Sequence, residues 1–198
     1  RAMFSLDVDA SAYLPADIDD LAAMMRTLHA NEKVMFVGLG SNLLIRDAGF
    51  PGTVVFTHGA LKSIALVGAN LVYAQAGVAA PKLARFAAMH DLVGAEFLAG
   101  IPGTVGGALA MNAGCYGGET WRVVVRVTTV ARDGLVRERD VQDFDIGYRH
   151  VAALAGREDE WFVAARFEFA SGDGATARAT VKDLLARRIA TQPINLPN

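Results

Sequence analysis

The sequence predicts an α+β fold, in which a small βαβ unit precedes a mostly antiparallel part that carries helices. Three observations support this prediction. Residues 13–37 pass from an extended to a helical and back to an extended pattern. Short strand-like runs separated by turn residues begin near Gly52. Two stretches with helical periodicity, 80–91 and 176–190, lie within or after those strands.

The first unit is predicted from a helix between two extended segments. Pro15-Ala16-Asp17 ends the first segment, and Asp17 is suited to cap the helix that follows. The apolar run 34–37 predicts a buried parallel strand. Between them, apolar residues recur at helical spacing and form one face: Ile18, Leu21, Met25 and Leu28.

The second part is predicted from short apolar runs and turn residues. Arg132-Asp133-Gly134 indicates a hairpin turn. The predicted strands are 53–57, 64–67, 71–76, 121–130, 135–139 and 161–170. The residues expected to face inward are Leu83, Phe86 and Ala87 in the helix at 80–91, and Val181, Leu184, Leu185 and Ile189 in the helix at 176–190.

Composition and charge exclude several classes of protein. Of 198 residues, 53% are apolar, which is enough for a substantial core. Nineteen basic and 21 acidic residues give a net charge of −2 without a basic tract, so nucleic acid is not expected as a partner. No run of 18 apolar residues and no N-terminal signal is present, which predicts a cytoplasmic protein that does not enter a membrane. The single Cys115 excludes an internal disulfide, and four scattered histidines predict no metal site.

Glycine is concentrated between Gly94 and Gly118, where it occupies eight of 25 positions. A packed helix or strand has no use for such density, so a backbone that passes close to a ligand is expected. No Lys, Arg, Asp or Glu lies between Gly100 and Gly118, so a bound anion would be met by backbone N–H groups. The alternative is a long flexible loop, but apolar residues favour a buried segment: Ile101, Val105, Leu109 and Met111.

A second glycine-containing turn, GLGSNLLIRD, runs from Gly38 to Asp47 after the apolar run 34–37. The dinucleotide fingerprint fails because its third glycine is replaced by Leu43, and no Gly-Lys-Ser/Thr of a P-loop follows. The uncharged parts of the two turns, 38–45 and 100–118, are expected to face each other across a crevice, where ligands commonly bind.

The segments Gly38–Ile45 and Ala99–Glu119, together with Gly147-Tyr148-Arg149, resemble the UDP-N-acetylenolpyruvoylglucosamine reductase (MurB) family. The wider resemblance is to flavoproteins of the vanillyl-alcohol oxidase type, whose FAD lies between two α+β subdomains. It covers about residues 13–192 and implies FAD-binding subdomains at 1–58 and 59–172, with 173–198 leading to a substrate-binding domain. It also implies bound FAD, NADPH as hydride donor and an enolpyruvyl UDP-sugar reduced to UDP-N-acetylmuramate for peptidoglycan synthesis, by a monomer.

The resemblance implies roles for individual residues. Tyr148 would line the substrate site, and Arg149 would bind the substrate and act in catalysis beside the enolpyruvyl group, where a guanidinium suits a carboxylate. Cys115 lies within the flavin motif but is expected to be a small packing residue. The residues implied to hold FAD are Gly38, Gly40, Ser41, Asn42, Leu43, Leu44, Gly77, Gly100, Ile101, Pro102, Gly103, Thr104, Gly106, Gly107, Asn112, Ala113 and Gly114.

The sequence departs from the family at its ends. The family's proton-donating serine and a later glutamate follow a segment like 193–198, so a truncated reductase is expected. The first strand, near Asp7-Val8, matches weakly, and Val151 stands where a serine is common. Three hypotheses follow. They are a MurB-type reductase of which this is the FAD-binding portion, a flavin-binding module without turnover of its own, and another oxidoreductase with the same fold.

Overall fold

A computed structural model describes residues 3–6, 10–45, 47, 49–154 and 159–191. Within these ranges the chain forms two main sheets, joined by a shared core and flanked by helices. The predicted weak match near Asp7-Val8 and the tail at 193–198 lie outside the described residues. The mixture of parallel and antiparallel strands with helices confirms the predicted α+β class.

The first sheet has four strands in the order β1-β2-β4-β3, with one helix in the connection between β2 and β3. β4 pairs in parallel with β2 and β3, whereas β1 is antiparallel to β2. The Asp17 side chain accepts a hydrogen bond from the Asp20 N–H at 2.7 Å, so the predicted cap is confirmed. The elements are β1 (Met3–Leu6), β2 (Ala10–Tyr13), α1 (Ile18–Met25), β3 (Val34–Val37) and β4 (Gly52–Phe56).

Strand β3 is parallel, as predicted, but it lies at the edge of its sheet. Only Val37 is buried there and the other three residues are half-buried, so the expectation of a buried strand was wrong. A continuous apolar run does not distinguish a central strand from an edge strand that another part of the protein covers. The exposed side of β3 therefore contributes Phe36 to a cleft beside the sheet.

The second sheet is antiparallel throughout, with the order β11-β10-β14-β6-β5. Three short two-stranded pairs accompany it, formed by β8 with β9, β12 with β13, and β7 with β15. The helices and strands of this second part, the sheet and the three pairs included, are β5 (Ile64–Leu66), β6 (Leu71–Gln75), α2 (Ala80–Met89), β7 (Leu92–Val93), α3 (Val105–Ala110), β8 (Gly114–Cys115), β9 (Gly118–Glu119), β10 (Val124–Ala131), β11 (Val136–Asp140), β12 (Phe144–Gly147), β13 (His150–Ala153), β14 (Glu160–Glu168), β15 (Ala170–Ser171) and α4 (Gly174–Thr191).

Two sequence predictions in this part need correction. The strand predicted at 121–130 begins only at Val124, because Thr120–Arg122 forms a 3₁₀ turn that buries Trp121. In α4, Val181 is buried, but Ile189 is 62% exposed because it lies beyond the part of the helix that packs on the core. The inward prediction for Ile189 was therefore wrong.

A shared hydrophobic core joins the two sheets. Leu21 and Met25 of α1 pack with Val55 of β4, and the same cluster contains Val130 and Val163 of the second sheet. All five side chains are essentially inaccessible to solvent. Helix α1 therefore fixes one sheet against the other, and the cleft lies where β3 meets the glycine-rich segment.

Candidate functional site

The main cleft has a volume of about 510 Å³ and lies between the end of β3 and residues 100–115. Two sequence-distant turns form its walls, as the sequence predicted. Arg149 supplies a charged side chain to a lining that is otherwise neutral among the described residues. The predicted residues that line it are Gly38, Gly40, Ser41, Asn42, Leu43, Gly100, Ile101, Pro102, Gly103, Gly107, Ala113, Gly114 and Arg149.

Other predicted residues lie elsewhere. Gly106 lines an adjoining cavity of about 380 Å³, and Asn112 and Tyr148 line a third one of about 250 Å³ at the mouth of the cleft. Leu44 is 96% exposed and belongs to none of these three linings. Thr104 is buried and caps α3, and Gly77 packs against the carbonyls of Thr57 and Leu61.

The predicted cofactor glycines fall into two groups when a Cβ atom is placed on each. At five positions that atom would collide with the protein itself, for example 2.9 Å from the Ala76 Cβ in the case of Gly106. At Gly103 and Gly107 the nearest protein atoms would be 3.6 and 3.9 Å away, and at Gly40 nothing lies within 4 Å. The first group is explained by packing alone. The colliding positions are Gly38, Gly77, Gly100, Gly106 and Gly114.

The open glycines occur beside backbone donors that the protein leaves unused. Within the described ranges, the N–H groups of Gly40, Ser41, Asn42 and Gly103 donate no hydrogen bond to the rest of the chain. By contrast, the Gly106 N–H donates to the Ala76 carbonyl at 2.9 Å. Gly40 has φ +72°, a conformation that suits glycine. A neutral wall with free N–H donors is suited to an anionic ligand.

At the mouth of the cleft, Tyr148 and Arg149 form the two-residue turn between β12 and β13. Tyr148 is 88% exposed, and Arg149 adopts a left-handed φ of +54°. The turn is tied to the glycine-rich segment by Asn112, whose Nδ2 donates to the Gly147 carbonyl at 3.1 Å. The predicted pair Tyr148-Arg149 therefore lies next to the predicted cofactor segment.

The adjoining cavity contains residues that sequence reasoning missed. Phe36 of β3 and Trp161 of β14 stack at 5.3 Å between ring centroids, and both line this cavity. The Arg132 guanidinium also lies over the Trp161 ring, 5.4 Å from its centroid. No signal in the sequence could have paired positions 36 and 161, because only the packing of the two sheets brings them together.

Glu160 also lines the adjoining cavity and was missed. Its side chain is 9% exposed and bonds to Arg139 at 2.5 Å and to the Thr129 hydroxyl at 2.6 Å. Burial alone would raise its pKa, but these hydrogen bonds and the charges of Arg139 and Arg137 outweigh it, so the pKa of Glu160 lies below its ordinary value. The carboxylate is therefore held charged at neutral pH.

The remaining candidates contribute little chemistry. Cys115 is a free, half-buried thiol that packs against the core and against the backbone of Gly100. Across the described ranges, no three His, Cys, Asp or Glu side chains are grouped so that they could hold a metal ion. No helix in the described part of the chain has the length and apolar character needed to cross a membrane.

The fold and the cleft define the class of protein. Residues 10–139 match the family described as FAD binding domain, and the chain belongs to that family. The matched span includes the whole first sheet from β2 onward, both glycine-containing turns and strands β10 and β11 up to Arg139.

Individual relatives are more specific. The chain is 52% identical to the UDP-N-acetylenolpyruvoylglucosamine reductase of Thiobacillus denitrificans, covering 94% of this chain and 61% of that protein. It is 54% identical to the enzyme of the same name from Methylococcus capsulatus, covering 94% and 60%. The crystal structure of MurB from Thermus caldophilus superimposes with a TM-score of 0.75 at 25% identity, over 92% of this chain and 64% of that one. The chain thus spans about 60% of the length of the curated relatives it matches.

Proposed function

We propose that this chain binds FAD in the cleft between its two sheets. The observation that carries the proposal is the set of open glycines, Gly40, Gly103 and Gly107, beside unused backbone N–H groups in a neutral wall. A pyrophosphate is a dianion that such donors can solvate without a basic side chain. The residues present therefore fit the cofactor that the family binds.

The shape of the cleft supports an elongated ligand. Four residues line both the main cleft and the adjoining cavity, so the two spaces are neighbours: Phe36, Gly38, Gly107 and Ala110. We propose that the 38–44 turn and Gly103 hold the pyrophosphate. We assign one of the ligand's two ring systems to the adjoining cavity, where the Phe36–Trp161 pair offers an aromatic wall. The other predicted cofactor residues remain proposals that rest on the resemblance, except the Asn112 side chain, whose amide has protein partners.

We further propose that the chain is the FAD-binding part of a reductase that converts an enolpyruvyl UDP-sugar to UDP-N-acetylmuramate, with NADPH as co-substrate. When bound, FAD supplies the redox chemistry of accepting and passing on a hydride. Arg149 would bind the substrate carboxylate and stabilise developing negative charge, and Tyr148 would line the substrate site. The identity of 52% and 54% to named reductases supports this assignment.

The domain boundaries, the oligomeric state, the location in the cell and the pathway belong to the same proposal. We place the subdomain boundaries at 1–58 and 59–172, with 173–198 leading to a substrate-binding part. We propose a cytoplasmic monomer that acts in peptidoglycan synthesis and cell division, without nucleic acid or membrane partners. The alternative is a flavin-binding module without turnover of its own.

The test is the visible absorbance of the purified 198-residue chain after incubation with FAD, with mass analysis of the flavin released on denaturation. Stoichiometric FAD is expected. If no flavin is retained, the proposed cofactor site is wrong for this chain. Anaerobic addition of NADPH then separates the two functions: bleaching of the flavin supports the reductase, whereas a stable oxidised spectrum supports the binding module.

A further inference from the structure

Asn112 is predicted from the resemblance to contact the cofactor, yet its side chain is engaged by the protein. It is 5% exposed. Its Nδ2 donates to the Gly147 carbonyl at 3.1 Å and lies 3.4 Å from the Glu119 Oε2, and its Oδ1 accepts from the Trp121 N–H at 3.1 Å. Both ends of the amide therefore have protein partners.

The backbone of Asn112 does not require this amide. It ends α3 with φ +39°, and the Ala113 N–H donates to the Ala108 carbonyl at 2.9 Å while the Asn112 N–H donates to the Leu109 carbonyl at 3.3 Å. This is the Schellman arrangement, in which glycine is the commonest residue at the left-handed position and Asn is accepted. Glycine would thus keep the helix end and remove only the side-chain bonds.

Gly147, whose carbonyl accepts the hydrogen bond from the Asn112 Nδ2, is the last residue before the Tyr148-Arg149 turn. Phe144, Ile146 and Val151 pack the body of this hairpin on the core, but both turn residues are exposed. Arg149 has φ +54°, a conformation that is unfavourable for a residue with a Cβ, so the turn needs support from its surroundings. The Asn112 Nδ2 bond to the Gly147 carbonyl supplies that support from the end of α3.

We propose that Asn112 is a positioning residue. Its side-chain amide holds the Tyr148-Arg149 turn against the glycine-rich segment, so that Arg149 stays at the mouth of the cleft. The importance of this positioning for function rests on the proposed role of Arg149 in the reductase. The claim that the Asn112 amide holds the turn does not depend on that role. Asn112 acts through the hairpin and not through contact with a ligand.

The test compares Asn112→Gly, Asn112→Asp and the control Asp91→Gly by hydrogen exchange of the FAD-free chain. Asp91 is the matched control because it is an exposed left-handed residue that follows α2. Asn112→Gly should raise exchange of the amides in 144–153 by about three- to tenfold, the effect of losing one hydrogen bond. Asp91→Gly should leave that hairpin unchanged.

Asn112→Asp distinguishes the hydrogen bond that the side chain donates from the one that it accepts. Its carboxylate still accepts from Trp121, but it cannot donate to Gly147, so the hairpin should also exchange faster at about pH 8. Burial beside Glu119 favours the neutral carboxyl, whereas the charges of Arg122 and Arg149 oppose it, so protection relative to the original chain should return only as acid protonates the carboxyl and lets it donate. Asn112→Gly should show no such recovery.

Two outcomes would overturn the proposal. One is unchanged exchange of the hairpin in Asn112→Gly. The other is an equal rise across 144–153 and the central strands β6 and β14, because that would mean loss of global stability without local positioning. Since these measurements use the chain without FAD, their failure is distinguishable from a failure to bind the cofactor.

Discussion

Replacing Gly107 by alanine tests the cofactor site because it should change stability and binding in opposite directions. Gly107 lies in the first turn of α3, faces the main cleft and is exposed. An alanine Cβ there would meet no protein atom closer than 3.9 Å. The folded protein can therefore accept the methyl group, whereas a ligand in van der Waals contact with this backbone cannot.

The expected magnitudes follow from this geometry. Alanine is favoured over glycine in a helix by up to about 1 kcal/mol, so the FAD-free chain should become more stable by about that amount. For a chain of this size that corresponds to a rise in melting temperature of about 2–4 °C. The methyl group should weaken FAD binding at least about tenfold, or 1.4 kcal/mol.

Thermal unfolding of the FAD-free chain and fluorescence titration with FAD measure the two effects. Gly106→Ala is the matched control, because its Cβ would lie 2.9 Å from the Ala76 Cβ and should destabilise the chain itself. If Gly107→Ala binds FAD as tightly as the original chain, the ligand does not contact this backbone and the proposed cradle is wrong. If Gly107→Ala lowers the melting temperature, the steric reasoning for α3 is wrong.

Three further predictions concern different parts of the molecule. Gly134→Ala should destabilise the chain by about 2–4 kcal/mol in denaturant unfolding, because φ is +73° and the new Cβ would collide with the carbonyl of Ala22 in α1. Glu160→Gln should cost about 2 kcal/mol at neutral pH, since it removes a charged hydrogen bond to Arg139. In a chain extended to the length of its relatives, Arg149→Ala should slow flavin reoxidation by the enolpyruvyl substrate about 100-fold. Flavin reduction by NADPH should change far less in stopped-flow absorbance.

Each of these has an outcome that would contradict it. Gly59→Ala, at φ +81° with nothing within 4 Å, should cost only about 1–2 kcal/mol, and an equal cost at Gly134 would mean that contact with α1 is unimportant. Glu138→Gln, whose exposed carboxylate pairs with Arg166, should cost less than about 1 kcal/mol. If Arg149→Ala slows both half-reactions equally, Arg149 does not act on the substrate.

The Glu160 prediction also has a defined pH dependence. Because the pKa of Glu160 in the folded protein is lowered from its ordinary value of about 4.5, its stabilisation is complete above that value and is lost as the pH falls through the folded-state pKa. Glu160→Gln should therefore approach the stability of the original chain in acid. A stability difference that stays constant from neutral pH into this acid range would show that the ion pair does not cause it.

Local sequence patterns predicted the elements well, because the signals that produce them are local. The Asp17 cap and the spacing of Leu21 and Met25 determine α1 without reference to the rest of the fold. The edge position of β3 was missed, since the sequence of 34–37 does not contain the pairing partner of that strand. The stack of Phe36 on Trp161 was missed for the same reason.

The glycine-rich segments illustrate how far sequence can lead towards the site. Their density correctly predicted two facing turns, but it could not separate glycines required by packing from glycines open to a ligand. Gly106 and Gly107 are adjacent in the sequence, yet one faces Ala76 and the other faces the cleft. Substituting a glycine of the first kind tests folding, and substituting one of the second kind tests binding. An experiment on Gly106 alone would lose FAD through a damaged fold and would wrongly appear to support a ligand contact, so Gly107 is the residue that decides the question.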